Sequence, residues 1–219
     1  MTTLDRDTIL DGLRELADLA AGAGIDCTIF VLGGSAIALI EGSKRRTTTD
    51  IDSYIRSSAG DRASLFDIIG QIAQRRRWPS AWLNTAAEQF LPDAEQEAVV
   101  WVPVLEVAGI RVLCAPAPLL LAMKLRSNRG RRDTGDLPVL LAAAGSTRRR
   151  DVEELFAKYF PYDDISPKCR DWLGQNGYPV EIKPAVANWS PPTVDRSDRL
   201  YIDTYLRNGE WIAGYWRKR

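Results

Sequence analysis

Two aspartates one residue apart, Asp50 and Asp52, follow a basic and threonine-rich segment (Lys44, Arg45, Arg46, then Thr47, Thr48 and Thr49) and lead an apolar run. Strand side chains alternate between faces, so Asp50 and Asp52 are expected to point the same way while Ile51 turns into the core. Two carboxylates so placed repel each other. A hard dication, Mg2+ (or Mn2+), relieves that cost, and phosphate-bound Mg2+ uses one or two protein carboxylates. Upstream, Gly33-Gly34-Ser35 breaks the apolar run 27–32 and opens a short apolar helix over 36–40, closed by Gly42. A diglycine turn lets phosphates approach bare backbone. Together with D-x-D on the next strand it points to phosphoryl or nucleotidyl transfer. Neither motif has that force alone, since a Gly-Gly after a strand is commonly a turn and D-x-D commonly a solvated strand face.

Further charged residues stand where charge is expensive. Glu106, the one acid in a valine-rich region, is either a third metal-facing carboxylate or a polar residue at a strand end, the second being preferred. Lys124 interrupts an apolar helix beside Met123 and Leu125, so it either snorkels to the surface or meets an anion such as the phosphates over the diglycine turn. Asp133 and Asp136 follow a basic loop, and either one can be a plain helix N-cap. The chain has no histidine, which excludes Ser-His-Asp and Cys-His catalysis, His-ligated zinc and a histidine base. Acid-base and metal work must therefore fall to carboxylates and lysine.

The 219 residues can bury a sizeable core, and 45% apolar with 26% charged content is ordinary for a globular protein. Lys+Arg and Asp+Glu both number 29, so net charge says nothing about partners, whereas the bunching of positive charge at 44–46, 75–77, 126–132, 148–150 and 217–219 suits a polyanionic substrate. Three scattered cysteines, with Cys27 and Cys114 in apolar runs, read as buried thiols in a reducing compartment. With no secretory signal and no apolar run long enough to span a bilayer, a cytoplasmic protein without a membrane partner is expected.

The elements that must position these residues read as an α/β (α+β) chain. Amphipathic helices are expected over 4–24 and 62–76, the first capped by Asp5 or Asp7 and ended by Gly24. Trp82-Leu83-Asn84 leads to a short helix ending near Phe90. Valine-rich strands follow over 99–107 and 110–115, then helices over 119–126, 137–144 and 147–160. The tail has a proline-rich stretch after Tyr178 and a hairpin about Asn208-Gly209 that pairs Arg207 with Glu210, Leu206 with Trp211 and Tyr205 with Ile212. Its aromatics beside Arg217, Lys218 and Arg219 could stack on single-stranded bases, or the hairpin could cover a sheet edge or an oligomer contact. The organisation expected is 1–115 as an α/β core, 116–174 as a helical part of the same domain, and 175–219 as linker and hairpin tail.

With these residues in hand, the chain resembles nucleotidyltransferase-fold proteins of the AbiEii/MenT toxin type, and more closely their relatives of similar length. The matching pieces are Gly33-Gly34-Ser35, then Arg46-x-Thr48-x-Asp50-Ile51-Asp52, Trp82-Leu83-Asn84 with Phe90-Leu91-Pro92, and 121–125 (LAMKL) followed by arginines and Asp133-x-x-Asp136-Leu137. They cover 1–173 in order; the tail from Gln175 lies outside the resemblance. It implies a small mixed sheet flanked by helices, with a helical C-terminal half. Asp50 and Asp52 would hold Mg2+, while Gly33, Gly34 and Ser35 would cradle a triphosphate, with Arg46 and Thr48 assigned to the same nucleotide. Lys124 would neutralise it, and Asp133 or Asp136 would complete the site. Such proteins move a nucleoside monophosphate from an NTP to an acceptor, in characterised toxins the 3′ end of tRNA, under restraint by an antitoxin protein. Two other readings stay open: the same fold acting on a small-molecule or protein hydroxyl, and a non-catalytic nucleotide-binding module that docks through its aromatic tail.

Overall fold

A computed structural model describes residues 3–41, 47–92, 99–127, 134–146 and 148–177, and the backbone of four short strands between 199 and 218. The chain divides into two compact units, Met1–Leu91 with Trp101–Leu120, and Pro92–Val100 with Leu121–Arg219.

The first unit is a mixed α/β layer, as the sequence leads one to expect. Helix α1 (Arg6–Gly22) is capped by Asp5, whose carboxylate accepts from the Thr8 N–H at 2.9 Å, and it buries Ile9, Leu13, Leu16 and Ala20. Strand β1 (Cys27–Val31) is buried along its whole length because it is the middle strand of the sheet. That accounts for its unbroken apolar run. Helix α2 (Gly33–Glu41) begins directly at the diglycine, three residues earlier than the expected start at 36. Gly42 lies outside the described residues.

Strand β2 (Ile51–Ser57) runs antiparallel to β1, and its burial alternates: Ile51, Ser53 and Ile55 are buried, while Asp52, Tyr54 and Arg56 are half-buried. Helix α3 (Ala59–Arg76), capped by Ser58, buries Leu65, Ile68, Ile69 and Ile72 and stops at Arg77 in the left-handed region (φ 56°). Trp82 is wholly buried, its Nε1 donating to the Ile69 carbonyl at 3.0 Å. It delivers the two-residue strand β3 (Leu83–Asn84), parallel to β2, and a single 3-10 turn (Glu88–Phe90) where a short helix is expected. Strands β4 (Val102–Val107) and β5 (Ile110–Cys114) form a hairpin, and β5 pairs parallel with β1. The resulting order is β3-β2-β1-β5-β4.

Helix α4 (Ala117–Arg126) carries the chain into the second unit, which continues with α5 (Leu137–Ala143), α6 (Arg149–Tyr159) and α7 (Pro167–Gln175). The last of these is short, starts on a proline suited to a first helical turn, and is not evident from sequence periodicity. Its first turn is tied to the end of α4: the Ser166 N–H donates to the Leu125 carbonyl at 2.8 Å, and the Cys169 thiol faces the Lys124 carbonyl at 3.3 Å. In the tail, β7 (Tyr205–Arg207) and β8 (Glu210–Ile212) pair in the expected register. A second two-stranded sheet pairs β6 (Arg199–Ile202) with β9 (Tyr215–Lys218). Asn208, Gly209 and the proline-rich stretch lie outside the described residues.

Several of the bunched arginines are engaged within the fold. Arg75 and Arg76 both grip Glu15, Arg126 pairs with Asp163 at 2.9 Å over the Phe160 ring, and Arg148, Arg149 and Arg150 pair with Asp151, Glu153 and Glu154. These pairs lie at the surface and are of small energetic worth. Among the described residues no helix is long and apolar enough to cross a membrane.

Candidate active site

The candidate site of the first unit is assembled where β1 ends and β2 begins. The Leu32 N–H donates to the Asp52 carbonyl at 2.8 Å, so the chain leaves β1 still joined to β2. It then turns at Gly33, whose φ of +61° is disfavoured for residues with a Cβ. A Cβ at Gly33 would also overlap the Asp52 carboxylate and lie 3.1 Å from its Cβ and Cγ. One residue on, a Cβ at Gly34 would stand 3.2 Å from Thr48 Oγ1. Glycine is therefore demanded at Gly33 twice, by backbone conformation and by the Asp52 carboxylate that lies directly over it, while at Gly34 Thr48 leaves a tight but lesser fit. The Ser35 hydroxyl is fully buried and donates back to the Leu32 carbonyl at 2.9 Å. It fixes the turn instead of facing outward.

Asp50 is set just ahead of β2 and held by three neighbours. Thr49 Oγ1 donates to its Oδ1 at 3.3 Å, Thr48 Oγ1 lies 3.5 Å from the same oxygen, and Asn84 Nδ2 lies 3.5 Å from Oδ2. Thr48 is pinned by a two-way backbone bridge to Leu4, at 2.7 and 2.9 Å. Asn84 is fixed by its place opposite Asp52 in the β2-β3 register, by the Ala86 N–H donating to its Oδ1 at 2.9 Å, and by the Ser53 hydroxyl on its carbonyl at 2.9 Å. Gly33 thus lies against Asp52, Gly34 against Thr48, and Thr48 against Asp50. Asn84 joins them as a member that sequence reasoning placed only in a resemblance motif.

Glu106 sits on the edge strand β4, exposed and opposite Arg111, and β4 is three strand positions from β2. At about 4.8 Å per strand that is about 14 Å across the sheet, too far to share an ion with Asp52. The third-carboxylate reading of Glu106 is therefore corrected to a polar edge residue. Arg46 and Asp133 lie outside the described residues. Lys124 and Asp136, both residues of the second unit, are ion-paired with Nζ to Oδ2 at 2.9 Å and side chains 9% and 12% exposed. Asp136 occupies the N-cap position of α5 yet makes no side-chain cap bond, because its carboxylate is turned to the lysine. Asp136 is thus one anionic partner of the buried Lys124.

The donor set suits one kind of metal. Among the described residues no group of three or more His, Cys, Asp or Glu side chains is gathered to hold a cation. Asp50 and Asp52 offer two hard oxygen donors, the type of ligand Mg2+ takes, and not the four or more ligands of a closed structural zinc or calcium site. The buried thiols take no part. Burial, with Asp26 adding to it, pushes Cys27 up to about 12, and burial alone takes Cys114 to about 12.

No family model matches the chain, and no curated protein matches it. Among solved structures, an antigenic nucleotidyltransferase-like protein from Paracoccidioides brasiliensis superposes with a TM-score of 0.44 at 14% identity, covering 85% of this chain and 100% of that one. A likeness of that degree carries no argument about fold or activity, so the functional reading stands on the residues themselves.

Proposed function

We propose that this protein is a Mg2+-dependent nucleotidyltransferase that moves a nucleoside monophosphate from an NTP to an RNA 3′ end, with the 3′ end of tRNA as the acceptor. The observation that carries the reading is the Asp52 carboxylate lying over the Gly33 backbone at the start of α2, with Asp50 held beside it by Thr48, Thr49 and Asn84. The first N–H groups of a helix have no intrahelical acceptor and favour a phosphate. Gly33 and Gly34 keep that backbone bare, and the two aspartates oppose any anion there unless a cation comes with it. Asp50 and Asp52 would hold Mg2+, which when bound supplies charge stabilisation for the attacking and leaving oxygens. Thr48, Thr49 and Asn84 orient the Asp50 carboxylate by hydrogen bonds, so little reorganisation is required on binding.

The reaction would be an in-line displacement. The acceptor hydroxyl oxygen bonds to the α-phosphorus, the bond from that phosphorus to the bridging oxygen breaks, pyrophosphate leaves with the electron pair, and the hydroxyl proton passes to solvent. Incubation with each of the four α-labelled NTPs, Mg2+ and total RNA tests the reading. Label on RNA supports it, and label on a small molecule or protein moves the acceptor. No incorporation with NTP bound leaves a binding module, and no binding at all removes the proposal. The resemblance to toxins adds an antitoxin partner and predicts growth arrest on expression, relieved by Asp52→Asn.

A further inference from the structure

Beyond Asp52, β2 carries Tyr54 and Arg56 on the same face, half-buried, at one and two strand repeats from the carboxylate. Directly opposite Tyr54 in the β1 register is Phe30, and the two rings stack with centroids 5.4 Å apart and planes at 24°. Trp101 meets Phe30 edge-on at 4.6 Å, and the Arg56 guanidinium lies 5.1 Å from the centre of the Phe30 ring and 5.8 Å from that of Tyr54. Phe30 is 1% exposed and forms a floor, while Tyr54, Arg56 and Trp101 keep part of their surface open. A purely structural cross-strand pair needs the floor and the stack. Here a guanidinium is laid over the rings as well, at a half-open face one strand repeat from Asp52.

We infer that Tyr54 and Arg56, on the Phe30–Trp101 floor, form a nucleobase subsite for a nucleotide whose phosphate lies at Gly33 and Asp52. This inference rests on the proposed nucleotidyl transfer and extends it. One strand repeat, about 6.8 Å, separates Tyr54 from Asp52, a span that a single ribose can bridge between phosphate and base. An aromatic face beside a guanidinium is the chemistry that takes a base without regard to its hydrogen-bonding edge. The base can come from the donor NTP or from the terminal nucleotide of the acceptor. The two share this chemistry and are separated by experiment.

The test is isothermal titration of the parent, Tyr54→Leu and Tyr54→Phe with each NTP, with inorganic tripolyphosphate and with a short single-stranded RNA, all in Mg2+. Loss of the ring is expected to weaken one nucleotide ligand by about tenfold. Loss on the NTP assigns the donor base, and loss on the RNA the acceptor base. Tripolyphosphate affinity is expected to be unchanged in Tyr54→Leu, and Tyr54→Phe to match the parent. The subsite is overturned if Tyr54→Leu binds both NTP and RNA as the parent does, or if it loses tripolyphosphate to the same degree, which marks a loosened fold. A parent that binds none of the three ligands removes the nucleotidyl-transfer reading and the subsite with it. A parent that binds NTP no better than tripolyphosphate, and does not bind RNA, overturns the subsite alone.

Discussion

Gly33→Ala separates the two demands placed on the diglycine. Alanine at φ +61° costs about 1–2 kcal/mol in backbone energy alone. Its Cβ would overlap the Asp52 carboxylate, which must retreat by about 1 Å to reach ordinary contact, and a misplacement of that size costs about 100-fold in rate. For a chain of this length the backbone cost lowers the thermal midpoint by about 2–8 °C. The folded variant should therefore survive while turnover collapses. Gly34→Ala is the matched control: no positive φ is recorded there, and its Cβ would need Thr48 to give by only a few tenths of an ångström, so a much smaller loss is expected. Initial rates of label transfer, read beside thermal melts, decide the matter. Gly33→Ala turning over at the parent rate, or Gly34→Ala losing as much, would refute the claim that Asp52 is seated against Gly33.

The buried Lys124–Asp136 pair makes a stability claim: Lys124→Met removes the ammonium that faces the buried Asp136 carboxylate and should cost about 3–5 kcal/mol in denaturant unfolding, while the double variant Lys124→Met/Asp136→Leu should recover most of it. An unchanged denaturation midpoint in Lys124→Met would show the pair to be loose. The raised thiols of Cys27 and Cys114 make a pH claim. An unfolded thiol ionises near 9.0 and the folded ones near 12, so the unfolded state sheds protons first as pH rises. Their contribution is fully present below pH 9 and is lost between about pH 9 and 12. Cys27→Ala/Cys114→Ala should flatten the alkaline limb of the stability curve, and the native protein should resist thiol reagents at pH 8.

The parts of the site that were legible in the sequence are those set by local period. The alternation over 51–57 placed Ile51 inside and Asp52 outside, and the Asn208-Gly209 signal gave the register of β7 and β8, because both depend on neighbours along one strand or across one turn. Contacts made across the sheet were not legible. Asn84 reaches Asp50 only because two residues of β3 pair parallel with β2, and no period announces so short a strand. Glu106 looked available because strand order is not written in local pattern, and two intervening strands remove it. Asp136 has the position of an N-cap, yet its carboxylate pairs with the buried Lys124 and makes no cap bond. Likewise the buried Ser35 hydroxyl looks like a phosphate ligand until its bond to Leu32 is seen.

The most direct test of the Asp50–Asp52 pair is the initial rate of NMP transfer to RNA in Mg2+ for the parent, Asp50→Asn and Asp52→Asn, measured on protein shown by melting to be folded. Both carboxylates are half-buried at the edge of the fold, so each amide should leave the melting temperature within a few degrees of the parent's. Each should also cut the rate by about two orders of magnitude or more. A parent-like rate from either variant would contradict the assignment of the pair as the centre of the reaction.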